Sequence, residues 1–332
     1  MGGRPIEPVI QMLQVTRTYG FRRGVENLSF EVGRGEIFGC LGPNGAGKTT
    51  TIRLMLDFLA PDRGKVLLFG KRVRRGARHL RRAVGYCPGE LGLYENRTGE
   101  QHLRLYGALG GSKTPLREWL CDALRFTRAE RTRLVKSYSK GMRQKLGLVQ
   151  AMQHDPDAII LDEPTGGLDP LVQCALFDVL RELKARGKTV FFSSHVLSEV
   201  YGLCDRAGVL MDGRLILCTP IADFVAAAGR LLWIRLPGPA GDIHPVVERA
   251  EFVRREAEWL VYRVLPPDFP GVLAELNRLQ PLDFRFESAP DELFMRLYER
   301  PEQARTATDK HGRTRATQYA EHPPGGPGVP SD

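Results

Sequence analysis

Apolar residues fall in short blocks, and the spacing inside each block predicts its element. Blocks at residues 10–15, 28–32 and 36–41 are rich in β-branched and aromatic residues, with Gly33-Arg34-Gly35 breaking the last two apart, so each predicts a strand. A helix is expected from Thr49 to about Leu59, closed by Pro61 and Gly64. Residues 95–155 read as mostly helical, because Leu103, Tyr106 and Leu109, and then Leu116, Leu120 and Leu124, recur at helical spacing. Strand-like blocks return at 158–161, 189–193 and 207–211, with helices between them at 171–186 and 197–203. Strands alternating with helices predict a largely parallel sheet covered on both faces. Asp212-Gly213 between two apolar runs is a hairpin signal.

Beyond Pro220 the pattern changes. A helix is expected at 221–228 and a strand at 231–236. A helix near 245–250, strands at 252–255 and 259–264, a helix at 271–279 and a strand at 282–287 follow. The order βαββαβ predicts a small ferredoxin-like α+β domain. A last helix is expected at 291–299, and from Pro301 onward the chain is rich in Pro, Gly, Thr and charge without apolar periodicity, which predicts a disordered tail. The expected division is 1–219, with a helical subdomain at about 95–155, then 220–300, then the tail at 301–332.

Composition narrows the class. The chain of 332 residues is 42% hydrophobic and 26% charged, enough for one large core and a smaller one. Residues 1–8 hold no apolar stretch of the signal-peptide kind, Ile6 removes a myristoylation reading, and no apolar run approaches the roughly 20 residues of a membrane helix. Any membrane role is therefore expected to run through a partner. Cys40, Cys87, Cys121, Cys174, Cys204 and Cys218 show no paired or metal-ligand spacing, so buried or half-buried free thiols in a reducing cytoplasm are expected. The net charge is +9, with a basic cluster at Lys71, Arg72, Arg74, Arg75, Arg78, Arg81 and Arg82. No aromatic residue interleaves that cluster as a base-stacking surface would need, so a solvated face is expected and no nucleic acid.

The chemistry begins at Gly42-Pro43-Asn44-Gly45-Ala46-Gly47-Lys48-Thr49-Thr50, between a predicted strand and a predicted helix. That context makes it a P-loop: its glycines let backbone N–H groups turn toward phosphate oxygens, and the helix N-terminus favours an anion. Lys48 reaches the β- and γ-phosphates, and the Thr49 hydroxyl holds Mg²⁺. The block Ile159-Ile160-Leu161-Asp162-Glu163-Pro164 ends a buried strand in two carboxylates. Asp162 suits Mg²⁺, directly or through water, and Glu163 is placed as general base for the attacking water.

Tyr138-Ser139-Lys140-Gly141-Met142-Arg143-Gln144 lies upstream, with Asp162 following 23 residues after Ser139. It resembles the signature sequence of ABC-type ATPases. Gly167-Leu168-Asp169 resembles their D-loop, Ser194-His195 their switch histidine, and Tyr19 their adenine-stacking aromatic. The resemblance spans about residues 9–217. It implies an ATP-hydrolysing subunit that works as a homodimer, or paired with another ATPase subunit. In such a dimer Ser139, Lys140 and Gly141 of one copy meet the γ-phosphate held by the other. It also implies a membrane-spanning permease partner, docking near Gly89–Gln101, and residence on the cytoplasmic face of the membrane. Two departures stand out: the signature has Tyr138, Lys140 and Met142 where Leu, Gly and Gln are common, and Gly89 stands where a Mg²⁺-linked Gln is expected, with Glu90 or water as substitutes. Residues 291–298 and the stretch from Val84-Gly85-Tyr86 to Leu93-Tyr94-Glu95 and Leu103 resemble the daunorubicin- and bacitracin-resistance exporters, which implies export of drugs, antibiotics or lipids. The competing reading is a soluble ABC-type ATPase of DNA repair or translation. The long coiled-coil insertions of the former and the double cassette of the latter are missing from this sequence. A regulatory module without turnover is disfavoured by the intact Lys48, Asp162, Glu163 and His195.

Overall fold

The computed structural model describes residues 8–20, 22–74, 80, 82–110, 113–237 and 247–288. They form two compact units, one up to Cys218 and one from Thr219. The basic cluster at Arg75, Arg78 and Arg81, the predicted helix at 291–299 and the tail lie outside the described residues.

The first unit holds two sheets. Strands β1 (Pro8–Tyr19), β2 (Arg22–Gly33), β4 (Arg63–Leu68) and β5 (Lys71–Arg72) form one, in the order β2-β1-β4-β5, with antiparallel pairing. The other takes β3 (Ile37–Leu41), β6 (Val84–Cys87), β7 (Ala158–Asp162), β8 (Thr189–Ser194), β9 (Arg206–Met211) and β10 (Arg214–Pro220), in the order β10-β9-β3-β8-β7-β6. The pairs β9/β3, β3/β8, β8/β7 and β7/β6 are parallel. Every residue of β3, β7 and β8 is buried, as expected of parallel strands covered on both faces. Phe30 of one sheet stacks on Phe38 and Phe191 of the other at 5.3 and 6.2 Å, so the two sheets share one core.

Helix α1 (Lys48–Met55) follows β3. Helices α2 (Gly99–Gly110), α3 (Arg117–Ala123), α4 (Arg128–Thr132) and α5 (Lys140–Met152) fill the predicted helical stretch. Buried Arg131 pairs with Glu118 at 3.0 Å and Glu100 at 3.4 Å, and Arg117 donates to Gln153 at 2.8 Å, which ties these helices together. Helices α6 (Pro170–Ala185) and α7 (Leu197–Leu203) precede β8 and β9. The Asp212-Gly213 turn has positive φ at both residues (46° and 77°), the backbone of a tight hairpin, and leads into β10.

Several boundaries differ from expectation. The strands at 10–15 and 28–32 are pieces of two twelve-residue strands, because register shifts and left-handed residues at Gln14 and Asn27 interrupt the alternation that would have shown their length. Strands β4, β5 and β6 are additions: β4 and β5 carry charged residues that mask a strand pattern, and β6 is only four residues long. The helix expected to reach about Leu59 ends at Met55, where Asp57 turns left-handed. Cys174 is exposed, whereas the other cysteines are buried or half-buried. Its helix buries Val172, Leu176, Val179, Leu180 and Leu183, and position 174 lies off that stripe.

The second unit contains α8 (Ile221–Ala228), β11 (Arg230–Arg235), β12 (Glu251–Glu256), β13 (Trp259–Val264), α9 (Phe269–Leu279) and β14 (Asp283–Ser288). Its sheet is antiparallel in the order β12-β13-β11-β14, the strand order of a ferredoxin-like fold. Leu232, Ile234, Leu260, Tyr262 and Val264 pack on Val272 and Leu276 of α9. On the opposite face Arg285 and Arg254 lie over Trp233 at 4.7 and 5.5 Å. Of the helix expected near 245–250, residues 247–250 form a turn closed by Ala250 N–H to Val247 O, and 245–246 lie outside the described residues.

Candidate functional site

Strand β3 delivers the chain to a loop that cannot carry ordinary side chains at two points. A Cβ on Gly42 would lie 2.4 Å from Leu210 O, and Gly47 has φ 103° with Gly24 O 2.8 Å from where its Cβ would be. Gly47 caps α1 without a side-chain bond and the first turn of α1 has no acidic residue, so no side chain of its own first turn offsets the N–H groups at its start. Ala46 is buried and braces the loop through Ala46 N–H to Pro43 O at 3.2 Å and Gly213 N–H to Ala46 O at 3.1 Å.

A cleft of about 200 Å³ opens above this loop. Pro43, Asn44, Gly45, Gly47, Lys48, Thr49 and Thr50 line it from the loop side, and Tyr19, Gly24 and Glu163 from the others. Tyr19 is 41% exposed at the rim, with the Arg17 guanidinium 5.7 Å from its ring. Gly42 and Ala46 shape the loop without lining the cleft.

The charged groups are held in one network. Lys48 is buried; its Nζ donates to Gly42 O at 2.7 Å and Pro43 O at 3.1 Å and lies 3.1 Å from Glu163 Oε1. Glu163 Oε2 is 3.1 Å from His195 Nδ1, so one carboxylate bridges the lysine and the histidine. The Thr49 hydroxyl donates to Asp162 Oδ2 at 2.8 Å, and Ser193 Oγ donates to Asp162 Oδ1 at 2.6 Å. Glu163 has φ 48°, a conformation that costs a non-glycine residue on the order of 1–3 kcal/mol and is held here by the surroundings. Asp162 also marks its neighbours: burial first, and then its charge, pushes the Cys87 thiol and the Tyr86 hydroxyl up to about 12. Cys40, next to Lys48 and Asp162, is pushed well up by burial.

Thr49 and Asp162 present hard oxygen donors side by side. Mg²⁺ fits such a pair, because it keeps several waters and takes its remaining ligands from substrate phosphate. Among the described residues no group of three or more His, Cys, Asp or Glu side chains could hold a metal unaided. A Cβ at Gly89 would lie 3.4 Å from Asp162 O and 3.8 Å from Oδ2, so a side chain at this position would enter beside the acid; Glu90 is exposed.

Ser139, Lys140, Gly141 and Asp169 are not among the residues lining this cleft. Ser139 caps α5 by accepting Met142 N–H at 3.2 Å, and Asp169 caps α6 by accepting Val172 N–H at 3.1 Å. A Cβ on Gly141 would lie 2.8 Å from Gly167 O, so the bare residue is needed for packing within the chain. Buried Gln144 donates to Pro164 O at 2.8 Å and fastens the same helix to the loop after Glu163. Tyr138, in place of the common Leu, buries its ring and donates to Glu130 O at 2.8 Å; the absence of a side chain on Gly99 makes room for its hydroxyl. The sequence singled out neither Gly24 nor the hydroxyl of Ser193, and it held Gln144 only as the last residue of the signature-like segment, with no role of its own.

The family model described as "ABC transporter" matches residues 25–166. The Nod factor export ATP-binding protein I of Paraburkholderia xenovorans is 36% identical over 302 residues, covering 88% of this chain and 97% of that protein. The bacitracin transport ATP-binding protein BcrA of Bacillus licheniformis is 36% identical over 211 residues, or 63% of this chain and 68% of the relative. Among solved structures, an ATP-binding subunit of an ABC transporter superposes with a TM-score of 0.60 at 32% identity, covering 65% of this chain and 91% of the other. A bacterial Atm1-family ABC exporter with ATP bound superposes with a TM-score of 0.61 at 23% identity over 67% of this chain and 40% of that one, a likeness of fold.

Proposed function

The chain belongs to the ABC transporter family of ATP-binding proteins, and from that premise we propose that it hydrolyses MgATP at the Lys48 cleft to drive export of an amphiphilic drug, antibiotic or lipid. One observation carries the hydrolytic part: the Glu163 carboxylate lies between Lys48 and His195, beside the Thr49–Asp162 pair. The triphosphate lies along the loop N–H groups with the adenine against Tyr19. Arrival of phosphate oxygens takes over the Lys48 ammonium and releases Glu163 from it. Glu163 then accepts a proton from water as the water oxygen bonds to the γ-phosphorus, and the bond to the bridging oxygen breaks to leave ADP. His195 orients Glu163 and the γ-phosphate. Mg²⁺, held by Thr49 and Asp162, would neutralise charge on the phosphates.

Ser139, Lys140 and Gly141 complete the site of a second copy or of a paired ATPase subunit, whose own signature completes this one. Among the described residues no helix is long and apolar enough to cross a bilayer. A separate permease supplies the membrane domain and holds the chain on the cytoplasmic face. Phe58 and Tyr94, each 56% exposed, offer apolar surface in the lobe that would receive it. The names of the relatives, which speak of Nod factor export and bacitracin transport, support export. The experiment is reconstitution with the membrane protein that co-purifies with it from detergent. ATP hydrolysis stimulated by amphiphilic peptides or lipid-linked sugars, with their movement out of the ATP-containing side, is expected. Stimulation by inward-moving small solutes alone would contradict export.

A further inference from the structure

Ser193 belongs to none of the motifs used above, yet it touches both acidic residues. Strand β8 runs parallel to β7 with Ser193 opposite Asp162. Its hydroxyl donates to Asp162 Oδ1 at 2.6 Å and accepts Glu163 N–H at 3.0 Å, and its own carbonyl accepts the same N–H at 3.2 Å. The bond directions are forced, because an ionised carboxylate only accepts and an amide N–H only donates. Ser193 has no exposed surface, so water does not compete for either bond.

Two consequences follow for the acids. Asp162 is pinned at both oxygens, by Ser193 on Oδ1 and by Thr49 on Oδ2, which turns its second oxygen toward the P-loop. Glu163 is held in its left-handed turn at φ 48° by a double acceptor, and that turn carries its side chain between Lys48 and His195. The next residue makes a contrast: Ser194 Oγ bonds Glu199 and accepts Val196 N–H, organising the turn into α7 without touching either acid.

We propose that Ser193 is a positioning residue for the metal and the base: one hydroxyl sets the orientation of the Asp162 carboxylate and secures the backbone turn that places Glu163. The proposal rests on the roles given above to Asp162 and Glu163. A serine needing only to satisfy its own proton could bond any carbonyl; here its hydroxyl joins the Asp162 carboxylate to the backbone N–H of Glu163.

The test uses the full chain, a fluorescent non-hydrolysable ATP analogue titrated with Mg²⁺, and steady-state ATPase. In S193A the analogue binds as in the parent without Mg²⁺, the Mg²⁺ midpoint rises roughly tenfold, and kcat falls roughly 10–100-fold with little change in KM, the range typical for groups that orient metal ligands. S193T restores a hydroxyl and recovers both quantities. S193C fills the volume with a weak donor and behaves as S193A. If S193A does not fold, the difference between S193T and S193C carries the same comparison. A parental Mg²⁺ midpoint and kcat in S193A, an equal loss of Mg²⁺-free nucleotide binding, or an S193T as defective as S193C would each overturn the proposal. E163Q tests the base assignment separately: if it kept turnover, that assignment would fall while the Mg²⁺ titration of Ser193 still stood or failed alone.

Discussion

The Lys48 cleft and the Ser139 helix end use polar groups in opposite ways. In the cleft, Lys48, Thr49, Asp162, Glu163 and His195 bond to one another, so the charges that meet a triphosphate are already gathered in one place. At the signature, Ser139 and Asp169 spend their oxygens capping their own helices, and Gly141 is bare because Gly167 O presses against it. One region gathers charged groups around a cleft; the other has its polar groups committed to helix caps outside that cleft. Under the proposed function, charge is assembled where the substrate would first bind, and the completing donors are held by local caps for a second copy or paired subunit.

The comparison can be broken at several points. Substitution K48A removes the cation that three oxygens surround and leaves Glu163 without it. Loss of charge-assisted bonds of this kind costs about 2–3 kcal/mol, so MgATP affinity measured by calorimetry is expected to fall roughly 30–150-fold. Next comes G89Q: its Cβ meets Asp162 at ordinary contact distance, so the variant is expected to fold and to tighten the Mg²⁺ midpoint of nucleotide binding, by about tenfold if its amide reaches the metal. S139A should leave nucleotide affinity of the isolated chain unchanged while lowering turnover. Loss of the α5 cap costs about 1 kcal/mol, which shifts Tm by roughly 2–4 °C in calorimetry. Equal loss of affinity in S139A would erase the distinction between the two regions. The smallest effect concerns thiols. Cys87 is neutral in the fold and pushed up to about 12 by burial, so it adds no pH dependence below the unfolded thiol value of about 8.5. Stability is then lost as pH rises from there toward about 12, because the unfolded chain releases the proton first. At neutral pH, alkylation of the native protein should reach Cys174 well before Cys40 or Cys87.

Much of the cleft was legible because its chemistry sits in contiguous segments. Gly42–Thr50, Asp162-Glu163 and Ser194-His195 each follow a buried strand, and parallel strands bring their C-terminal ends to one edge. Ser193 and Gln144 were not legible as site residues, because what they do depends on pairing across the sheet and on a loop 20 residues away. The same limit applies to the fold. Strands β3, β7, β8 and β9 showed as largely apolar runs while the four-residue β6 did not, and the element order of the second unit suggested a ferredoxin-like domain, whose strand order the structure has. The lengths of β1 and β2 were hidden by left-handed Gln14 and Asn27, which interrupt a two-residue period. The exposed Cys174 shows that residue type alone does not decide burial; its place around α6 does.

In the proposed function Glu163 is the base, within a cleft expected to bind nucleotide without it. The direct measurement is the nucleotide recovered from E163Q after incubation with MgATP and rapid removal of free ligand, alongside phosphate release. Retained ATP with turnover reduced by about 10²–10⁴-fold is the predicted result. Recovery of ADP with phosphate release at the parental rate would contradict it.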